Sequence, residues 1–180
     1  YDMELPRVEA LLMEAWDEVR AFVPLDDNQQ KEYDKQQKLL NQWKEADGYV
    51  ISMPLHNFNV TSRLKDYFDN VLIAGETFRY TETGSEGLLP AGRKALFIQA
   101  SGSIFSQGPN RENDFAPQYV NNIFQFVGVQ DCFLVRAEGT AIPTLDQEKI
   151  LEDAKQEIST VLKGLVNNQE PCIKKALKFF

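Results

Sequence analysis

Two short stretches hold the residues best suited to binding chemistry, and neither supplies a conventional catalytic triad. Pro54-Leu55-His56-Asn57-Phe58-Asn59 follows the compact apolar run Tyr49-Val50-Ile51, and Ala100-Ser101-Gly102-Ser103 follows the apolar segment Lys94 to Gln99. Apolar, partly β-branched runs of this length read as buried strands. Pro54 ends the first, because proline cannot donate to a sheet ladder. Gly102 permits close approach of the main chain to a ligand. In open α/β sheets ligands bind at the carboxyl ends of strands, so both loops are candidate ligand loops that would act through their backbone donors. The competing account is a polar turn in which asparagine satisfies its own backbone. His56 is the single histidine, a residue more often structural or exposed than acid–base, and no proton transfer is assigned to it. Cys132 and Cys172 are far apart and match no CxxC or zinc spacing, so no metal site is expected.

The elements that must hold these loops follow from the change of hydrophobic period. Val8 to Val19 reads as a short helix. Pro24 to Asp27 starts a longer one that runs to about Ala46, with Tyr33, Leu40 and Trp43 near one face and Asp47-Gly48 as its stop. After the first strand, Leu64, Phe68, Val71 and Leu72 recur at helical spacing from about Thr61, with Gly75 as the expected cap. Thr77 to Leu89 reads as an extended arm or small hairpin. Lys94 to Gln99 is the second strand. Val120, Ile123, Phe124 and Val127 mark a helix stopped by Gly128. Cys132 to Ala137 is the third strand, with Glu138 at its exit. Thr144 to Gln147 matches a capping box, and Ile150, Ala154, Ile158, Val161, Leu162 and Leu165 form the stripe of a final helix. Residues 167–180 are a tail, with helix expected around Ile173 to Leu177. Strands alternating with helices imply a parallel sheet covered on both faces, within a single domain over residues 1–180.

Composition narrows the partners. The 180 residues are 43% hydrophobic and 26% charged, ordinary for a globular domain. The net charge of −8 argues against nucleic acid or an anionic membrane surface, since both require a basic face. No apolar run approaches a membrane span. A reducing, cytoplasmic setting is the default expectation.

The stretch Met53-Pro54-Leu55-His56-Asn57-Phe58-Asn59, followed by Leu64-Lys65-Asp66-Tyr67-Phe68-Asp69 and then by Ala74-Gly75-Glu76-Thr77-Phe78-Arg79-Tyr80-Thr81, resembles the FMN-dependent NADH-azoreductases. These are relatives of the NAD(P)H quinone reductases within the flavodoxin-like fold, and the likeness runs from about Leu39 to Leu165. The resemblance implies a doubly wound, three-layer αβα architecture. It implies FMN as cofactor, NADH or NADPH as donor, and a small aromatic substrate, a quinone or azo compound. The implied cofactor contacts are Pro54, Leu55, His56, Asn57 and Phe58 from the first loop and Ala100, Ser101, Gly102 and Ser103 from the second. Phe105 is a candidate substrate contact by stacking, with core packing as the equal account. Glu138, at the end of the third strand, is a candidate contact for the substrate, the flavin or the partner subunit, with surface exposure as the competing account. No protein side chain is assigned a catalytic step, since the flavin carries the chemistry. The family usually has arginine where this chain has Ser101 and glycine where it has Ser103, which bears on redox potential and substrate choice. Phe105 stands where histidine or tyrosine is common, so no proton donor is expected there. Phe78 and Tyr80 belong to an arm that lies near the subunit interface in this family, implying a homodimer.

Two other classes stay open on the residues alone: an electron carrier resembling flavodoxin, and a flavin-free relative with a structural or interaction role. A further expectation concerns the FMN phosphate. In this fold it sits after the first, central strand, at a helix N-terminus. Only three strands are expected here, at Tyr49, Lys94 and Cys132, corresponding by resemblance to strands 3, 4 and 5. The first βαβ unit, about 50 residues, is therefore expected upstream of Tyr1, leaving the edge of the Tyr49 strand bare.

Overall fold

The computed structural model describes residues 5–166 and 176–179. Strand β1 (Gly48–Pro54) begins at the Asp47-Gly48 break and ends at the proline. It pairs in parallel with β4 (Lys94–Ser101), which pairs in parallel with β5 (Asp131–Glu138). A strand missed in the sequence, β6 (Ala176–Phe179), lies parallel to β1 on its other side, giving the order β5-β4-β1-β6. The expectation of helix around Ile173 to Leu177 is corrected at its end, where residues 176 and 177 are extended; its earlier part lies outside the described residues. The expected bare edge is corrected too, since Gly48 to Ile51 are paired with Ala176 to Phe179. A row of unpaired backbone donors and acceptors is a template for any extended segment within reach.

Strand side chains alternate between two faces. Tyr49, Ile51, Met53, Ala95 and Phe97 pack against α2 (Asp27–Glu45), α3 (Ser62–Val71) and α4 (Phe115–Phe126). Leu96, Val135 and Ala137 pack against α5 (Gln147–Val166). The result is the expected three-layer arrangement. Helix α1 (Ala10–Arg20) buries Leu12 and Ala15 and packs on α2. Trp43 is the centre of the larger core, with ring centroids 4.3 Å from Tyr49 and 5.5 Å from Phe124. Asn70, fully buried on α3, donates to the carbonyls of Pro6 and Asp66 at 2.7 and 2.8 Å, tying the N-terminal segment to the core.

Helix ends depart from expectation in two places. Helix α3 starts at Thr61 as read, with the hydroxyl accepting from Leu64 N at 3.3 Å, but stops at Val71 rather than near Gly75. The buried Thr77 hydroxyl donates to the Val71 carbonyl at 2.8 Å, so a side chain from the next segment satisfies one of the helix's terminal acceptors. Helix α5 is capped not by Thr144 but by Asp146, whose Oδ1 accepts from Lys149 N at 3.0 Å. The capping box is at α2 instead, between Asp26 and Gln29. The arm is a hairpin of β2 (Phe78–Thr81) and β3 (Gly84–Gly87), anchored by Phe78 against Phe126 at 4.5 Å.

Candidate functional site

The two candidate loops leave neighbouring strands at the same end of the sheet. Pro54 is opposite Ala100 in the β1–β4 register, and Leu55 N donates to the Ala100 carbonyl at 2.7 Å. Ala100 thus serves as a clip between the loops, and Leu55 packs partly against the main core. Beyond them the first chain turns back on itself. His56 and Asn59 exchange two backbone hydrogen bonds of 3.0 Å, with Asn57 at φ +47 and Phe58 at φ +68. Positive φ at both central residues defines a type I′ turn. Asparagine accepts that conformation readily; for phenylalanine it carries strain of about 1–2 kcal/mol. The turn leaves Phe58 53% exposed, and its carbonyl accepts from Phe115 N at 3.0 Å, joining the loop to the first turn of α4. His56 is exposed at the turn, with Nε2 at 3.4 Å from Asn57 Nδ2.

The second loop is held from within and from β5. Ser101 is 5% exposed and its hydroxyl donates to the Ser103 carbonyl at 2.7 Å. Thr140 N and its hydroxyl both donate to the Ser101 carbonyl, and Ala141 N donates to Gly102. A Cβ on Gly102 would stand 3.1 Å from that of Ala141, so glycine lets these two loops lie together. The N–H groups of Gly102, Ser103 and Ile104 have no hydrogen-bond partner among the described residues, and neither do those of Asn57 and Phe58. Buried or ligand-facing N–H groups seek acceptors. Successive free N–H groups form a concave donor site for a group bearing negative charge.

The substrate-side residues divide. Phe105 is buried, with its ring edge-on to Phe58 at 6.4 Å, so the two phenylalanines form one apolar wall with Phe115 nearby in the chain's hydrogen bonding. Glu138 differs from expectation. It is neither exposed nor open for a substrate contact through Oε1, because that oxygen accepts from Phe105 N at 2.9 Å and Ser106 N at 2.8 Å. The sequence could not reveal this, since it depends on the register that sets Ser101 opposite Glu138. Three further groups were missed. Arg136 pairs with Glu138 at 3.2 Å and with Asp114 at 2.5 Å, and Gln99 Nε2 donates to Asp114 at 2.9 Å. An open cleft of about 470 Å³ borders the second loop and is lined by Ser103, Ile104, Pro109, Asn110 and Ile142 among others. A larger cleft of about 660 Å³ between α1, α2 and the hairpin contains none of the expected site residues.

This geometry suits a flat ring system with one apolar face and one polar edge. The phenylalanine wall and the free N–H groups of the two loops stand at the same end of the sheet.

Comparison with known proteins points the same way. The Flavodoxin_2 family pattern, described as flavodoxin-like fold, matches residues 1–162. A Bacillus cereus protein, FMN-dependent NADH:quinone oxidoreductase 1, is 43% identical over 168 residues, 93% of this chain and 78% of that protein. The FMN-dependent NADH:quinone oxidoreductase of Streptococcus agalactiae is 35% identical over 171 residues, 94% of this chain and 79% of its own length. Among solved structures, an FMN-dependent NADH-azoreductase from Bacillus anthracis in complex with FMN superposes with a TM-score of 0.87 at 40% identity, covering 93% of this chain and 79% of that one.

Proposed function

The chain belongs to the flavodoxin-like Flavodoxin_2 family, and on that footing we propose that it is an FMN-dependent NADH:quinone oxidoreductase that also reduces azo compounds. The observation that carries this reading is the pair of adjoining strand-end loops with free backbone N–H groups beside a phenylalanine wall. Held by these loops, FMN would supply two-electron transfer from NADH to the quinone or azo acceptor.

The protein's part is to bind, orient and tune. Asn57 and Phe58 offer main-chain donors from the first loop, with Pro54, Leu55 and His56 shaping its approach. Gly102, Ser103 and Ile104 offer donors from the second, where they favour negative charge on the ring's pyrimidine edge. Ala100 and Ser101 complete the cofactor side of that loop, and their hydrogen bonds fix its course. Phe58 and Phe115 present flat apolar surface to flat substrates, and the buried Phe105 backs Phe58 edge-on. None of these phenylalanines can donate a proton to the acceptor.

The working unit is a homodimer in the cytoplasm on this reading. Support for the dimer comes from aromatic side chains that stand open in one subunit: Phe22 after α1 at 95%, Tyr80 on the hairpin at 76% and Phe115 at the start of α4 at 51% exposure. Such surface calls for a covering partner. The cytoplasm suits an NADH-dependent protein with the free thiol Cys132.

The test is direct. Purified protein supplied with FMN should be yellow, should bleach on anaerobic addition of NADH, and should regain colour on addition of benzoquinone. Colour without rapid bleaching would favour an electron carrier, and no retained FMN would favour a flavin-free relative. Sedimentation at micromolar concentration should give the dimer mass.

A further inference from the structure

Five polar side chains lie beneath the β4 exit loop, on the sheet face covered by α4. Gln99 and Ser101 alternate on β4 with Ile98 and Ala100, which face α5, and their register partners on β5 are Arg136 and Glu138. Asp114 immediately precedes α4 and reaches the same place. From it, Asp114 accepts from Gln99 Nε2 at 2.9 Å and pairs with Arg136 Nη1 at 2.5 Å. The same Nη1 lies 3.2 Å from Glu138 Oε1. That oxygen also accepts from Phe105 N at 2.9 Å and Ser106 N at 2.8 Å. The side chains of Asp114 and Glu138 are 3% and 12% exposed. Buried carboxylates persist only when paired and hydrogen-bonded, and here the compensation comes from one guanidinium, the Gln99 side-chain amide and two loop amides.

The consequence falls on the three residues before Phe105. The N–H groups of Gly102, Ser103 and Ile104 have no partner among the described residues. Loose donors lose much of their value on ordering, whereas donors fixed beforehand do not. Two anchored amides at one end and the Thr140 and Ala141 contacts at the other hold the intervening donors in one arrangement.

We propose that Glu138, backed by Arg136 and Asp114, is a positioning residue: it anchors the backbone at Phe105 and Ser106 and so presets the Gly102–Ile104 donors for the polar edge of the flavin, without itself touching the cofactor. The proposal rests on the flavin reading of the site. It separates reach from charge, because the hydrogen-bonding oxygen does the anchoring. A carboxylate acting on the flavin through its charge would have the opposite requirement.

Two variants of the full chain distinguish these roles. Glu138→Gln keeps an acceptor oxygen at the same reach and loses the charge. Glu138→Asp keeps the charge and falls short by one methylene. Amide hydrogen exchange at residues 105 and 106 in flavin-free protein, the FMN dissociation constant, and the two-electron midpoint potential are measured for both. Glu138→Asp should speed exchange at both amides at least tenfold and weaken FMN binding at least tenfold. It should also lower the potential, since a tenfold greater loss of affinity for the reduced cofactor than for the oxidised one corresponds to about 30 mV. Glu138→Gln should stay within threefold of wild type in exchange and affinity, with its potential unchanged. A raised potential in Glu138→Gln would show direct action of the charge and overturn the proposal, as would any other pattern, including two silent variants. The exchange measurement needs no flavin, so a wild-type protein that fails to bind FMN would defeat the functional reading while the anchoring is still decided.

Discussion

Gly87 lies directly against the main chain at Gly128: a Cβ built on Gly87 would stand 2.2 Å from the Gly128 nitrogen and 2.2 Å from the Val127 carbonyl carbon. The contact joins the end of the β2–β3 hairpin to the end of α4, where Gly128 takes φ +103 and Val129 N closes the helix onto the Phe124 carbonyl at 2.8 Å. Backbone cannot step aside as a side chain tip can. Gly87→Ala is expected to destabilise by about 3 kcal/mol or more, the upper range for overpacking, lowering Tm by roughly 6–12 °C for a domain of this size. Gly164→Ala is the contrast. That glycine is within α5 and a Cβ there would meet nothing within 4 Å, so the substitution should stabilise by about 0.5–1 kcal/mol. Thermal unfolding of the two variants checks both signs.

Trp43 tests whether size or polarity governs the core. It is fully buried, and its indole N–H has no hydrogen-bond partner among the described residues. Trp43→Ala removes a ring that touches Tyr49 and Phe124 and should cost about 3–5 kcal/mol. Trp43→Phe leaves a smaller void and also removes a buried unpaired donor, whose burial costs about 1–3 kcal/mol. The two effects oppose, so the phenylalanine variant should fall within about 1.5 kcal/mol of wild type. Urea unfolding with an unchanged m-value would measure the difference.

Alkaline pH should weaken the fold through Tyr49. Burial pushes its phenol from 10.0 up to about 12, with Arg93 nearby opposing part of the rise. The hydroxyl donates to the Trp43 carbonyl at 2.9 Å and accepts from Arg93 Nη1 at 3.1 Å. A folded pKa above the unfolded one means that the native state holds the proton more tightly. The stabilisation is fully present below about pH 10 and is lost as pH rises towards 12, by up to roughly 2–3 kcal/mol. Tyr119, also raised to about 12 mainly by burial, acts in the same direction with less weight because it is only partly buried. Tyr49→Phe should flatten the decline in stability between pH 10 and 12 while costing about 1 kcal/mol at pH 8 through the lost hydrogen bond. A pH series of chemical unfolding curves compares the slopes.

What could be read from the residues was whatever depends on local pattern. Tyr49-Val50-Ile51 ended by Pro54, and Gly102 after an apolar run, announce strands and the loops that leave them because apolar period and turn residues act within a few positions. The alternation of Phe78 and Tyr80 announces the hairpin in the same way. Contacts set by register were not legible. Glu138 reads as an exit-loop carboxylate until β4 and β5 are aligned, and only then does it fall beneath Phe105 and Ser106. The helix ends show the same limit. Thr144 fits a capping pattern, but Asp146 is one residue from the first helical position and takes the role, while Thr77 closes α3 from outside the helix. Ala176 to Phe179 is too short to declare itself, and its strand state depends on the open edge of β1.

The last prediction concerns Ser101, the position where arginine is usual in the family that this chain resembles. If the second loop meets the polar edge of the flavin, Ser101→Arg brings a cation towards the site where negative charge develops on reduction. The expected gain for the reduced form is about 1–2 kcal/mol, which for a two-electron couple raises the potential by roughly 20–45 mV. The structure adds a condition. Ser101 is opposite Glu138 in the β4–β5 register, so that carboxylate competes for the new guanidinium and damps its effect. Combined with Glu138→Gln, the arginine should therefore shift the potential further upward than it does alone. Redox titration against a reference dye, with Tm followed in parallel because Ser101 is only 5% exposed, gives the answer. An unchanged or lowered potential in the double variant, with Tm preserved, would place the flavin edge away from this loop.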